Sequence, residues 1–202
     1  MRATITTFTI AIATTAAAQP AAADGYAEAV VGLAVPVADD DYDDFADESF
    51  KVGLRAGGGG GPTKLELSGD FTFVDPAAEG GLLNLDIDAE RYRILVGARH
   101  AVPVGKASLF VRLGAGVDIV HASATGSAFG IDFEVSDTDP GIAAEAGLGI
   151  MVPLGGKLYV GGHLAVPMAF HFDEDDPDDD TDLSFDYTGI DLDLLFTIGT
   201  VQ

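Results

Sequence analysis

The sequence predicts an all-β protein: an eight-stranded antiparallel up-and-down transmembrane β-barrel, preceded by a signal peptide. Three observations carry this prediction. Apolar residues alternate with small or polar ones over long runs, which is the period of a β-strand. Long acidic connections and short connections with Gly or Pro succeed one another along the chain. No apolar run reaches the roughly 18 residues that a membrane-spanning helix needs.

The alternation is clearest between Gly141 and Phe172, where two runs flank a tight turn at 153–156. In the first run Ile142 and Leu148 share an apolar face with every second residue, and Glu145 lies on the opposite face. Both runs exceed the five or six residues of a usual globular strand and fit the roughly 9–11 residues of a tilted membrane strand. The hairpin is therefore typical of a membrane barrel wall.

The same alternation recurs along the whole chain and predicts eight strands. They cover residues 26–37, 50–56, 64–74, 88–104, 108–119, 141–152, 158–172 and 190–201. The long connections are predicted at 39–48, 75–86, 123–140 and 173–182, and the short turns at 57–62, 103–106 and 153–156. Short turns on one side and longer loops on the other are typical of outer-membrane barrels. An even strand number lets the first and last strands pair, so no edge faces lipid.

The first residues have the features of a secretory signal peptide. Arg2 supplies a positive start, Phe8–Ala18 is a short apolar core, and an A-x-A cleavage motif ends at Ala23. A cut after Ala18 also fits this pattern. We therefore predict a signal peptide over residues 1–23 and an outer-membrane β-barrel over residues 24–202. The chain has no Cys, which excludes a disulfide framework and a thiolate metal site.

Charged residues inside the strands define the expected interior of the barrel. Apart from Arg2, every Lys and Arg lies on the face opposite the apolar one, where seven acids also lie. An eight-stranded barrel is just wide enough for side chains to fill, so we expect a packed network of ion pairs and not an open pore. The predicted lumen network consists of Arg55, Glu66, Asp70, Arg91, Arg93, Arg99, Arg112, Asp118, Glu145, Asp191 and Asp193.

The net charge of −23 comes mainly from the long connections. Such acidic runs are explained by solvated loops, or by weak binding of divalent cations that bridge to lipopolysaccharide, because carboxylates suit Ca²⁺ and Mg²⁺. Neither run has the spacing of a dedicated calcium loop, so no specific metal site is predicted. The candidates for loop cation binding are Asp39, Asp40, Asp41, Asp175, Asp176, Asp178 and Asp179. Nucleic-acid binding is disfavoured, because phosphates need basic patches.

No catalytic constellation has a diagnostic spacing. Acyl transfer needs a hydroxyl, a His and an acid that converge in space. The available groups are His100, His121, His163 and His171 with Ser108, Ser123, Ser127 or Ser184. We therefore expect no catalytic residues and no cofactor.

With a signal peptide, eight amphipathic strands, short turns and long polar loops, the chain resembles the small outer-membrane β-barrel family of the OmpA transmembrane domain and OmpX. The resemblance implies a monomer in the outer membrane of a Gram-negative cell, in contact with lipid and lipopolysaccharide and inserted by the barrel-assembly machinery. It implies a non-enzymatic role in envelope structure or surface interaction, here through acidic loops. The alternatives are a lipid A-modifying enzyme, a narrow pore and a soluble lipocalin-like carrier.

Overall fold

The computed structural model describes residues 25–38, 48–74, 84–128, 131–171 and 188–201, and it confirms the predicted eight-stranded antiparallel barrel. The predicted signal peptide, residues 1–23, lies outside the described residues. Each strand pairs antiparallel with the next, and the last pairs with the first, which closes the barrel. The strands are β1 (Tyr26–Ala38), β2 (Ser49–Gly58), β3 (Thr63–Val74), β4 (Asn84–Val104), β5 (Ala107–Ala128), β6 (Ile131–Gly155), β7 (Leu158–His171) and β8 (Thr188–Val201). No helix in this part of the chain is long and apolar enough to cross a membrane.

The register of the ladder shows that the strands are tilted. Passing from Ala27 to its partner on β2, and so on around the barrel, the ladder returns to β1 at Ala38 and not at Ala27. The partners on the way are Ala56, Leu67, Val96, Ala115, Ala144, Met168 and Ile190. A closed barrel needs such a stagger. Because of this stagger, inward side chains that are not ladder partners meet at the same level in the lumen.

Two of the predicted short turns are two-residue connections. The turn from β4 to β5 consists of Gly105 and Lys106, and the turn from β6 to β7 consists of Gly156 and Lys157. Both glycines are left-handed, with φ of 64° and 60°. Such hairpins need positive φ, which glycine adopts without steric cost.

The third long connection differs from the prediction of a loop over 123–140. β5 continues to Ala128, and β6 begins at Ile131, directly paired with it. β4 also begins earlier than predicted, at Asn84. In these stretches Ser, Thr, Asn, Asp or Glu occupy the alternate positions that apolar residues occupy elsewhere in the same strands. We refer to residues 84–88, 120–128 and 131–139 as the outer sheet.

Among the described residues, the outer sheet projects beyond the wall of the barrel. The last pair between β3 and β4 is Val74 with Ala89, and the first pair between β6 and β7 is Gly141 with His171. Above these pairs the three strands of the outer sheet pair, among the described residues, only with one another.

Candidate functional site

The lumen of the barrel is filled by charged side chains. The eleven residues of the predicted lumen network are each between 0 and 5% exposed. Four further Glu, Lys and His residues, which the network prediction omitted, are buried with them: Glu28, Lys51, His163 and His171. Lys106 and Lys157, which the face pattern had assigned to the lumen, are exposed in the turns instead.

Three Glu and three Arg residues form a cluster in the half of the lumen nearer the short turns. Arg99 pairs with Glu28, and its Nη2 lies 2.8 Å from Glu66 Oε2. Arg112 donates to Glu66, with an Nε–Oε1 distance of 2.9 Å, and pairs with Glu145. Arg55 completes the cluster, with nitrogens 3.8 Å from Glu28 and 3.9 Å from Glu145. The three cations balance the three acids, as a buried cluster requires.

Aromatic side chains close this cluster toward the turns. The Tyr26 hydroxyl donates to Glu66, and the Tyr159 hydroxyl donates to Glu28 over 2.8 Å. Both rings lie over glycines on neighbouring strands. A Cβ at Gly57 would come within 2.4 Å of the Tyr26 ring, and a Cβ at Gly199 would come equally close to the Tyr159 ring. The inward glycines therefore provide the space that the large lumen side chains occupy.

A second cluster lies nearer the outer sheet. Asp118 accepts from Arg91 Nε at 2.7 Å and from Arg93 Nε at 2.8 Å. Asp191 accepts from Arg91 Nη1 at 2.8 Å. His171 Nε2 lies 3.0 Å from Asp118, so the imidazole contacts the same carboxylate. Every acid and guanidinium of this cluster has a charged partner.

Asp70 differs from the other buried acids of the lumen. Neither of its carboxylate oxygens has a hydrogen-bond partner in the described part of the chain. It lies over Gly53, where an added Cβ would come within 2.1 Å of Oδ1. Nearby, Lys51 Nζ bonds Asp193 over 2.5 Å and so is committed elsewhere. Asp70 is thus a buried carboxylate that no hydrogen bond from a described residue stabilises.

This arrangement fills the barrel and offers little chemistry. In the lumen the Ser68 hydroxyl accepts from Arg112 Nη2 over 3.2 Å, so it is tied into the charge cluster. No group of three His, Asp or Glu side chains in the described ranges could hold a metal ion. The predicted cation-binding residues of the loops, at 39–41 and 175–179, lie outside the described residues.

The outward face of the barrel wall is apolar. Large hydrophobic side chains on every strand are exposed there, for example Leu65, Leu113 and Leu194, at 60–73%. A soluble carrier needs the opposite arrangement, with an apolar interior, so the lipocalin-like alternative is wrong. A wall of this kind matches the lipid-facing band of a transmembrane barrel.

The outward face changes polarity in the outer sheet. In the barrel wall, β4 and β5 present Tyr92, Ile94 and Val117 outward. In the outer sheet, the same two strands present Asp88 and Thr125 outward. β6 follows the same rule, with Glu134, Ser136 and Thr138 exposed on its upper outward face. The ladder is continuous across this boundary, so only the side chains change. The upper edge of the lipid-facing band therefore lies near Tyr92.

Among the outward residues of this boundary, one His and one hydroxyl are in contact. His121 Nδ1 lies 2.8 Å from Thr138 Oγ1. Glu90 is the ladder partner of His121 on the other side and accepts from the Tyr92 hydroxyl over 2.6 Å. The sequence search for a nucleophile considered serines, so it missed Thr138, which only the register brings opposite His121.

Comparisons with known proteins agree with this architecture. The model of the outer membrane protein beta-barrel domain family matches residues 6–194. A major outer membrane protein from Thermus thermophilus is similar in structure, with a TM-score of 0.56 and 15% identity over 90% of this chain and 100% of that chain. Ail, the attachment invasion locus protein of Yersinia pestis, gives a TM-score of 0.50 and 14% identity over 89% of this chain and 97% of that chain.

These structural likenesses show the fold alone, because the identities are low. No curated protein matches the chain in sequence. The family model, in contrast, covers nearly the whole chain. The chain therefore belongs to the family of outer membrane proteins with a β-barrel domain.

Proposed function

We propose that this outer-membrane protein is a non-enzymatic, non-conducting barrel that supports the outer sheet as a contact surface on the cell exterior. The observation that carries the proposal is the projection of β4, β5 and β6 beyond the barrel wall with polar and acidic outward side chains. Each described strand is paired on both sides, which supports a barrel that needs no second copy in lipid.

The charge of the outer end sets the kind of partner. The charged side chains exposed there, within the described ranges, are the carboxylates Glu48, Asp88 and Glu134. Opposite charge steers association, and like charge discriminates against wrong partners. We infer a partner with a basic surface, and contact with anionic lipopolysaccharide only through bridging divalent cations.

The contact role is tested by shortening the outer sheet. Residues 125–134 are replaced by Asn-Gly, which leaves Ala124 and Val135 as the new hairpin ends. Vesicles with the barrel are expected to bind a polylysine-coated surface more strongly than vesicles with the shortened form, and the difference is expected to vanish at high salt. Equal binding at low salt would contradict the role of the outer sheet.

The non-conducting lumen is tested separately in planar bilayers. The paired clusters around Arg112 and Asp118 occupy the lumen, so no steady single-channel current is expected. A reproducible current that Arg112→Ala enlarges would instead support the narrow pore.

A second function has one specific observation in its favour. The contact between His121 and Thr138, beside Glu90, places a hydroxyl, an imidazole and a carboxylate in one row at the outer edge of the lipid-facing band. That row has the groups of an acyl-transfer site, and the substrate we propose for a site at this depth is lipid A. Incubation with acyl-labelled lipopolysaccharide tests it: release that His121→Ala abolishes would establish the enzyme, and no release supports the non-enzymatic proposal.

A further inference from the structure

Charge outside the lumen is segregated between the two ends of the barrel. At the turn end the described exposed charged side chains are Lys106 and Lys157, and no Asp or Glu is exposed there in the described ranges. At the outer end the exposed charges are carboxylates, such as Glu134. With the turns on the periplasmic side, the cations face the inner leaflet of the outer membrane.

An apolar groove runs along the outward face from this basic end. Its lower part, of about 310 Å³, begins at Val104, next to the turn that holds Lys106, and follows β5 and β6. Its upper part, of about 470 Å³, continues across β6 to Leu164 on β7 and Leu192 on β8. Val111 and Leu148 line both parts, so the two parts adjoin at these side chains.

Small residues form part of the floor of the groove. Gly149 lines the lower part, and Gly147 and Ala146 line the upper part. Its walls are aliphatic side chains that are themselves exposed, among them Val102, Leu109, Val111 and Leu148. Apart from His100, which bonds Thr63 Oγ1 over 2.8 Å, the outward lining is apolar. This chemistry suits a hydrocarbon chain.

We propose that the groove binds one anionic phospholipid of the periplasmic leaflet, with an acyl chain along β5 and β6 and the phosphate at Lys106. Charge complementarity selects the headgroup, because a Lys near the membrane surface attracts anionic lipid. The apolar lining supplies area but does not discriminate between headgroups. The site rests on the proposed membrane orientation, with turns inward and the outer sheet outward.

Lys157 provides a matched control for Lys106. Both are exposed turn lysines at the same end, but only Lys106 lies between two strands that line the lower groove. Ala146 and Ala115 provide a second matched pair. Both are exposed on the outward face, but only Ala146 lines the groove.

The experiment reconstitutes the full chain in vesicles of equimolar phosphatidylglycerol and phosphatidylcholine and counts retained lipids by native mass spectrometry. One phosphatidylglycerol is expected to remain on the wild-type barrel in preference to phosphatidylcholine. Lys106→Gln is expected to lower this preference about fivefold, and Lys157→Gln to leave it unchanged. Ala146→Leu is expected to displace both lipids, and Ala115→Leu to displace neither.

Equal losses for Lys106→Gln and Lys157→Gln would overturn the site, since they would indicate a general rim charge. Retention without headgroup preference would overturn it as well. Heat-modifiable electrophoretic mobility of each sample reports the closed barrel in the membrane. If wild-type mobility is not heat-modifiable, the proposed membrane barrel fails. If it is and no anionic preference exists, only the lipid site fails.

Discussion

The wall of the barrel and the outer sheet belong to the same strands but differ in the polarity of their outward faces. β5 presents Leu113 and Val117 outward in the wall and Ser123 and Thr125 in the outer sheet. The hydrogen-bond ladder does not change between these regions. This difference shows that a paired backbone forms the same hydrogen bonds in lipid and in water. The polarity of the outward side chains therefore marks the boundary between lipid and water.

The largest effect is expected from a substitution on the inner face of the wall. Arg112→Met leaves Glu66 and Glu145 without their closest cationic partner, and removing one member of a buried ion pair costs about 3–5 kcal/mol. We expect the denaturant midpoint in lipid vesicles, followed by circular dichroism, to fall accordingly. Lys157→Met removes the same charge from an exposed turn and serves as the control. Equal effects of the two substitutions would show that the cluster is not energetically distinct from the surface.

The next effect tests the polarity boundary directly. Leu113→Arg places a cation on the lipid-facing wall and is expected to destabilise the barrel by roughly 2–4 kcal/mol, whereas Thr125→Arg in the outer sheet is expected to change stability by less than about 0.5 kcal/mol. Urea titration in vesicles measures both. A substantial cost at position 125 would mean that lipid covers the outer sheet, which contradicts the boundary near Tyr92.

A smaller effect is expected when a carboxylate is removed from the lumen, compared with one removed from the outer sheet. Asp70→Asn removes a buried carboxylate that has no hydrogen-bond partner among the described residues, and it is expected to raise stability by about 1–2 kcal/mol. Glu134→Gln removes an exposed carboxylate of the outer sheet and is expected to be neutral. A loss of stability in the Asp70 variant would show that Asp70 stabilises the lumen through its charge.

The smallest effect concerns the outer sheet as a whole. Replacing residues 125–134 by Asn-Gly leaves every ladder pair of the wall in place, so insertion and heat-modifiable mobility are expected to stay unchanged. Failure of the shortened chain to insert would mean that the outer sheet is needed for folding, and the comparison between the two regions would lose its simple form.

The sequence determined the fold class, the number of strands and the face of each strand. Alternation over Ile142–Val152 and its equivalents fixes which side chains point outward, because successive side chains of a strand lie on opposite faces. The same rule separates Arg112 from Leu113 without any knowledge of their partners. Strand pairing in sequence order then follows from the short turns.

Only the tertiary structure decided what depends on the stagger of the barrel. Arg99 contacts Glu28, and Lys51 contacts Asp193, because closure of the barrel brings these side chains to the same level in the lumen. The spacing of these residues in the sequence does not predict either contact. Closure also left Asp70 without a hydrogen-bond partner among the described residues. The outer sheet was not predicted because the prediction relied on apolar side chains that face lipid. Above the membrane the outward face contacts water, which favours Ser, Thr and acidic residues at those positions.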